Sequence, residues 1–214
     1  IVFLRPLGLR LICREICETQ NGEQFHRDDP ASTGPNIMPW SEWEYYQITG
    51  DKERLDKIFY PLLAYHKWLQ LNHTWRDGSY WSTGLACGMD NQPRVQNGYS
   101  HLTSHGHAIW VDTCIHMVMS GKILIEIGKI TGHEEDTQWL SEEVLRLTKL
   151  INEKLWCEED SFYYDLWKGD IHSKVKSIGA YWALLADIVP KDRLESFLAH
   201  LENPAEFKRP HRVP

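Results

Sequence analysis

Apolar residues recur at intervals of three and four along most of this chain, the pattern of helices that each bury one face. Leu55, Ile58, Phe59, Leu62 and Leu63 make one such stripe, with Asp51 placed to cap its start. Pro61 falls inside it, so a kink or a fresh start is expected there, the second piece carrying Trp68 and Leu69 to about Asn72. Leu140, Val144, Leu147, Ile151 and Leu155 make a second stripe between 134 and 156, with Glu142, Glu143 and Lys149 off it. The stretch 108–131 is apolar almost all round: Ile109, Val111, Ile115, Met119, Ile123 and Ile127 lie on one side and Val118, Leu124 and Ile125 on others. Such a helix belongs inside its fold. An enclosed helix followed by an amphipathic one is what an inner and outer pair looks like.

The rest of the chain keeps the same hairpin period without an exact short repeat. Leu7, Leu11, Ile12 and Ile16 have near-helical spacing and predict a first helix over 5–19, and the polar run from Asn21 to Asn36 predicts a long connection. Pro39 suits the first turn of a helix that reaches about Thr49 and closes at Gly50. Gly78 to Trp81 reads as a short extended piece, Phe162 to Tyr164 as a short strand or extended turn, and helices are expected over 177–189 and 192–202. The fold class is therefore all-α, built of helical hairpins with short extended segments.

Chemistry concentrates in the run Gly84 to Arg94, where a glycine-bounded loop stiffened by Pro93 carries Asp90. Trp81 precedes it, and Trp110 and Asp112 follow. Indole faces stack on pyranose rings, while carboxyl groups bind hydroxyls and protonate a leaving oxygen, so the set suits a sugar. An acid at neutral pH needs a pKa above the usual value of about 3.9, for which Met89, Trp81 and Trp110 offer apolar surroundings. Each residue also has a plainer role open to it. Asp90 can make turn hydrogen bonds, Asp112 can answer a helix N-terminus, Arg94 can form a loop salt bridge and Trp40 can be helix packing. Glu42 and Glu44 suit the first turns of a helix and are not assigned to catalysis.

The run "GMDNQPR" (Gly88 to Arg94), followed by "IWVDTCIHMVMSGKILIEIGKITG" (Ile109 to Gly132), resembles the central region of glycoside hydrolase family 63 and its trehalase-like and mannosylglycerate-hydrolase-like relatives. The likeness extends to "GPNIMPWSEWEYYQITGD" (Gly34 to Asp51), "FYYDL" (Phe162 to Leu166) and "NPAEFKRPHRVP" (Asn203 to Pro214), in the family's order. It implies an (α/α)6 toroid and an inverting glycosidase acting on α-linked glucose or a related hexose of an oligosaccharide or small glycoside. By the same resemblance Asp90 is the general acid, and Asn36, Trp40, Trp81, Asn91, Arg94, Trp110 and Asp112 line the substrate site. Gln92 departs from the small residue expected before Pro93, which bears on substrate preference. A helical-repeat binding scaffold, or a sugar epimerase or lyase on the same barrel, is the alternative.

Length limits this reading. A helix with its loop takes about twenty to thirty residues, so 214 residues hold an incomplete toroid, read as an internal part of a longer enzyme. The general base is then expected elsewhere, the rest of the barrel becomes the chain's partner, and the chain alone is expected to be inactive. A formal charge of −7 and the lack of a basic stripe argue against nucleic acid, and no run approaches a membrane span. Five cysteines, Cys13, Cys17, Cys87, Cys114 and Cys157, have no framework spacing and read as free thiols. No cofactor is expected, and no metal: His101, His105 and His107 are the one dense histidine cluster and read as surface or hydrogen-bonded residues. The sequence leaves the compartment open, with the cytoplasm favoured.

Overall fold

A computed structural model describes residues 30–90 and 92–210, together with the backbone of two short strands, β1 (Glu15–Glu18) and β2 (Gln24–Arg27). These strands correct the first helix expected over 5–19, since Glu15 pairs with Arg27 and Glu18 with Gln24 in an antiparallel hairpin. So short an apolar run satisfies either period, and the partner strand decides it. Residues 5–14 lie outside the described residues.

Helix α1 (Met38–Thr49) begins with Pro39 in its first turn and ends at Gly50, whose φ of 68° is the left-handed helix stop. Asp51 then accepts the Arg54 amide at 3.0 Å and caps α2 (Lys52–Asn72). No fresh start occurs at Pro61, which lies inside one continuous α2. Leu55 and Phe59 before it and Leu62, Tyr65 and Leu69 after it are buried on one stripe, and that burial outweighs the single backbone hydrogen bond a proline forfeits.

Helix α4 (Val111–Thr131) follows the one-turn α3 (Gly84–Cys87) and is enclosed, as its composition requires. It packs against α1, α2, α5 (Glu134–Leu150) and α6 (Trp182–Leu185). The α4–α5 approach is close: a Cβ on Gly121 would lie 2.7 Å from the Val144 methyl, so a larger residue there would force the hairpin apart. One π turn, Ile151–Leu155, ends α5 and leads into two small hairpins. These pair β3 (Trp156–Cys157) with β4 (Phe162–Tyr163) and β5 (Leu166–Trp167) with β6 (Ile171–His172). Ser177 caps a short 3-10 turn ahead of α6, and α7 (Lys191–Ala199) seats Phe197 on Tyr181 and Tyr163. The helical pairs α1–α2 and α4–α5 thus follow one another, with α4 packed against both α1 and α2 as well as α5.

Glu143 is a second correction. Three residues after Leu140 and four before Leu147, it shares the buried face of α5 and is 4% exposed, accepting His66 Nε2 at 2.9 Å and the Tyr80 hydroxyl. His66 Nδ1 in turn meets Ser120 Oγ at 2.9 Å, so α2, α4 and α5 share one buried polar network. Burial raises the Glu143 carboxyl, but its bonds to His66 and Tyr80 win and hold it below the usual range.

Candidate active site

The loop carrying Asp90 is fixed at both ends. Thr83 caps α3 by accepting the Ala86 amide and meets Ser32 Oγ at 3.0 Å, which ties the loop's start to the segment before α1. Gly84 passes so near the next loop that a Cβ would come within 2.2 Å of the His101 carbonyl oxygen. Gly88 turns the chain at φ 76°, a region that disfavours side chains. Met89 then inserts beside Gly179, where its methyl occupies space a side chain there would need, and its sulfur lies 3.9 Å from Ser177 Oγ.

Arg94 anchors the other end. Its guanidinium grips Asp112 through Nη1 and Nη2 at 2.6 and 2.8 Å, and Asp165 through Nε and Nη2, both at 2.6 Å. Arg94, Asp112 and Asp165 are 1%, 0% and 2% exposed. Two carboxylates around one cation leave a net negative charge, which the start of α4 offsets: the Val111 amide donates to Asp165 and the Thr113 amide to Asp112. Burial alone would raise the Asp112 carboxyl, yet Arg94 overrides it and holds it below the usual carboxylate range. Trp110 completes the clamp, its ring 4.4 Å from the guanidinium carbon and its indole N–H donating to the His105 carbonyl at 3.1 Å.

Asp90 sits between these anchors, partly exposed, and makes no hydrogen bond or ion pair with another described residue. Asn91 lies outside the described residues. Trp81 is half-buried and stacks on His73 at 4.1 Å, in the cluster that holds Trp110 and Met89. Asn36 and Trp40 gather one turn further along α4. Asn36 Nδ2 donates to Met117 Sδ and meets His66 Nδ1, and Trp40 packs edge-on against Trp182. Trp182 is edge-on to His116, a buried imidazole whose Nε2 has no partner and whose pKa burial pushes down to about 4. Of the predicted set, then, Trp110 and Asp112 both contact Arg94, while Asn36, just before α1, reaches Met117 of α4 and Trp40, on α1, reaches Trp182.

The model of the mannosylglycerate hydrolase MGH1-like glycoside hydrolase domain matches residues 12–214. The chain belongs to this family. An uncharacterized protein of Borreliella burgdorferi is 24% identical over 187 residues, which are 87% of this chain and 37% of the relative. The domain superposes on the family 63 mannosylglycerate hydrolase of Thermus thermophilus in complex with glucose with a TM-score of 0.70 at 20% identity, covering 94% of this chain and 56% of that one. A family 78 rhamnosidase from a Bacillus species gives 0.67 at 19% identity over 81% of this chain and 18% of its own. The fold is that of the (α/α)6 glycosidases. The domain spans about a third of the curated relative it matches and just over half of the Thermus hydrolase.

Within this glycoside hydrolase domain, Asp165 is the member of the clamp that no motif singles out. Its signal was present: a carboxylate inside the apolar run Phe162 to Leu166 needs a buried partner. No spacing rule names Arg94, seventy-one positions earlier, as that partner. Histidine placement is clearer in three dimensions, where His107 N donates to His105 Nδ1 at 2.9 Å and the two rings lie edge to face. Among the described residues, the grouping with metal-ligand spacing is Cys157, Glu159 and Asp160. The Lys174 ammonium already bonds all three, at 3.2, 3.3 and 2.6 Å. Cys87, Cys114 and Cys157 are free thiols.

Proposed function

We propose that this domain is the acid-bearing part of an inverting glycosidase that cleaves α-linked glucose or a related hexose from an oligosaccharide or small glycoside. Asp90 is its general acid. One observation carries this reading: the loop is held on both sides by paired side chains, while Asp90 has no partner among the described residues. Membership of a glycoside hydrolase family supports the reaction class, and a relative captured with glucose supports a hexose. In an inverting reaction the acid protonates the glycosidic oxygen while a second carboxylate, about 6.5 to 9.5 Å away, activates water on the opposite face. That base comes from the remainder of the barrel. Trp81 and Trp40 offer ring faces to the sugar, with Asn36 and Asn91 as hydrogen-bonding neighbours. Arg94, Trp110 and Asp112 form the rigid wall that holds Asp90 in place.

The test is Asp90→Asn in the complete enzyme. Substrates with poor leaving groups should lose at least about a hundredfold in kcat, the usual worth of general acid catalysis, and glycosyl fluorides should lose much less because they need little protonation. Equal losses on both would assign Asp90 a structural part instead.

A further inference from the structure

Beside the candidate active site lies a separate groove of about 290 Å³, whose lining includes Trp75, Arg76, His107, Trp167, Lys168 and Asp170. Its floor is the pair of extended segments that meet at Ile109 and Leu166, joined by two backbone hydrogen bonds of 2.8 and 3.0 Å. Ile109 and Leu166 belong to its lining, and their neighbours Trp110 and Asp165 lie against Arg94. The groove and the Asp90 loop share a wall but no lining residue of the clamp.

Two indoles are pinned in this groove by their N–H groups. Trp75 donates to the Ala108 carbonyl at 2.9 Å and Trp167 to the Arg94 carbonyl at 2.7 Å, so both half-buried rings are held in place with their polar edges already satisfied. What remains to a ligand is ring surface. Around it stand Arg76, Lys168 and Asp170, all exposed, none of which makes a hydrogen bond or ion pair with another described residue. His107 and Asp170 are held at φ 53° and 59°, a left-handed conformation uncommon for residues with a side chain. The chemistry of the lining selects among ligands. An apolar molecule would bury charges without pairing them, and a strongly anionic one would face Asp170. Fixed ring surface rimmed by unpaired donors and acceptors of both signs suits a polyhydroxylated ring, which has an apolar side and hydroxyls that both donate and accept. We propose that this groove is a second saccharide site, taking one pyranose unit of an oligosaccharide independently of Asp90.

The experiment titrates the full chain with maltotriose and with methyl α-mannoside, following affinity by calorimetry and the indole N–H signals of Trp75 and Trp167 by nuclear magnetic resonance. Three proteins are compared: the natural chain, Asp90→Asn, and a triple variant Arg76→Ala, Lys168→Ala, Asp170→Gly, in which glycine keeps the left-handed backbone at 170. The natural chain and Asp90→Asn should bind one of these sugars alike and shift both indole signals, and the triple variant should bind at least about tenfold more weakly, the loss expected for hydrogen bonds to charged groups. The indole shifts in the natural chain stand even if the triple variant folds poorly. Binding lost in Asp90→Asn, binding unchanged in the triple variant, unmoved indole signals, or no binding of either sugar would each overturn the proposal. None of these results bears on Asp90 as the acid, which is read from turnover.

Discussion

Asp112, in the first turn of α4, commits both carboxylate oxygens to Arg94 and one of them also to the Thr113 amide, whereas Asp90, on the loop that leads toward it, has no partner among the described residues. The two acids stand in adjoining parts of one fold and meet opposite surroundings. Around Asp112 every charge is buried and answered, which is the condition for keeping ions out of water. Around Asp90 the neighbours are fixed and the carboxyl is left over. A group that must give up a proton to a ligand gains nothing from a strong internal partner, and a loop that must hold it in position gains much from strong partners elsewhere. The clamp holds the loop, and the carboxyl it leaves without a partner among the described residues is the one proposed as the acid.

The comparison breaks most sharply at Arg94. Arg94→Ala would leave two buried carboxylates facing each other without a cation, and removing one partner of a buried pair costs about 3 to 5 kcal/mol. Against a total stability of about 5 to 15 kcal/mol, that is a large share. Urea unfolding measures it. Arg94→Ala combined with Asp112→Asn and Asp165→Asn should recover part of the loss, because the stranded charges go with the cation. A loss below about 1 kcal/mol would be the size of an exposed ion pair and would mean that the clamp is wet.

One turn along α4 the same helix carries an ionisable group with no partner at Nε2. Burial pushes the His116 imidazole down to about 4, against the pull of Asp112 and with the help of Arg94. In the unfolded chain it titrates near 6.5. Between those values the unfolded chain binds the extra proton and the fold does not. Stability is therefore fully present above about 6.5, falls as pH drops toward 4, and changes no further from this residue below it, a loss of roughly 3 kcal/mol. His116→Phe keeps an edge-on ring against Trp182 and removes the titration, so its stability should be flatter across that window. Parallel curves for the two proteins would show that the histidine is not held neutral.

How much of this was legible in the sequence follows from what sets each feature. The enclosed character of α4 is written in its own residues, since a stretch apolar on every side has nowhere else to go. Helix ends at Gly50 and Asp51 were readable because a cap depends on one residue and its immediate neighbours. The fresh start expected at Pro61 does not occur, because burial of one stripe across it keeps α2 a single element. Glu143 was set off the stripe of α5 for its charge alone, although its spacing from Leu140 and Leu147 puts it on that face, where His66 and Tyr80 answer it. Asp90 was singled out through a motif, and its role stays a proposal. The guanidinium that fixes its loop was found too, but its second partner, Asp165, had to be seen.

A smaller effect is expected where the loop starts. Thr83 accepts the Ala86 amide at 3.3 Å and meets Ser32 Oγ, so Thr83→Ala removes a helix cap and one buried hydroxyl contact. The cost should be about 1 kcal/mol, read as a lowered denaturant midpoint with unchanged slope. If Asp90 is the acid, Thr83→Ala should also lower kcat in the complete enzyme, since a loosened loop start lets that carboxyl wander, and small misplacements at a reacting centre are expensive in rate. Full stability together with reduced kcat would show that the contact positions the loop without holding up the fold.

The smallest effect on stability should come from the proposed acid. Asp90→Asn keeps the size of the side chain, removes its charge and breaks no hydrogen bond or ion pair to a described residue. Substitutions away from packed or paired features usually fall within about 0.5 kcal/mol of the natural protein. The same exchange at Asp112, which would take the charge from a buried pair with Arg94, should cost several times more. Measuring the two variants side by side by urea unfolding tests the contrast with one chemical change at two places. If Asp90→Asn destabilises the chain as much as Asp112→Asn does, then Asp90 has a partner that holds the fold, and a carboxyl so engaged is a poor proton donor. If the fold is indifferent to Asp90 while turnover of the complete enzyme depends on it, the loop is built to position an acid that contributes nothing to its own stability.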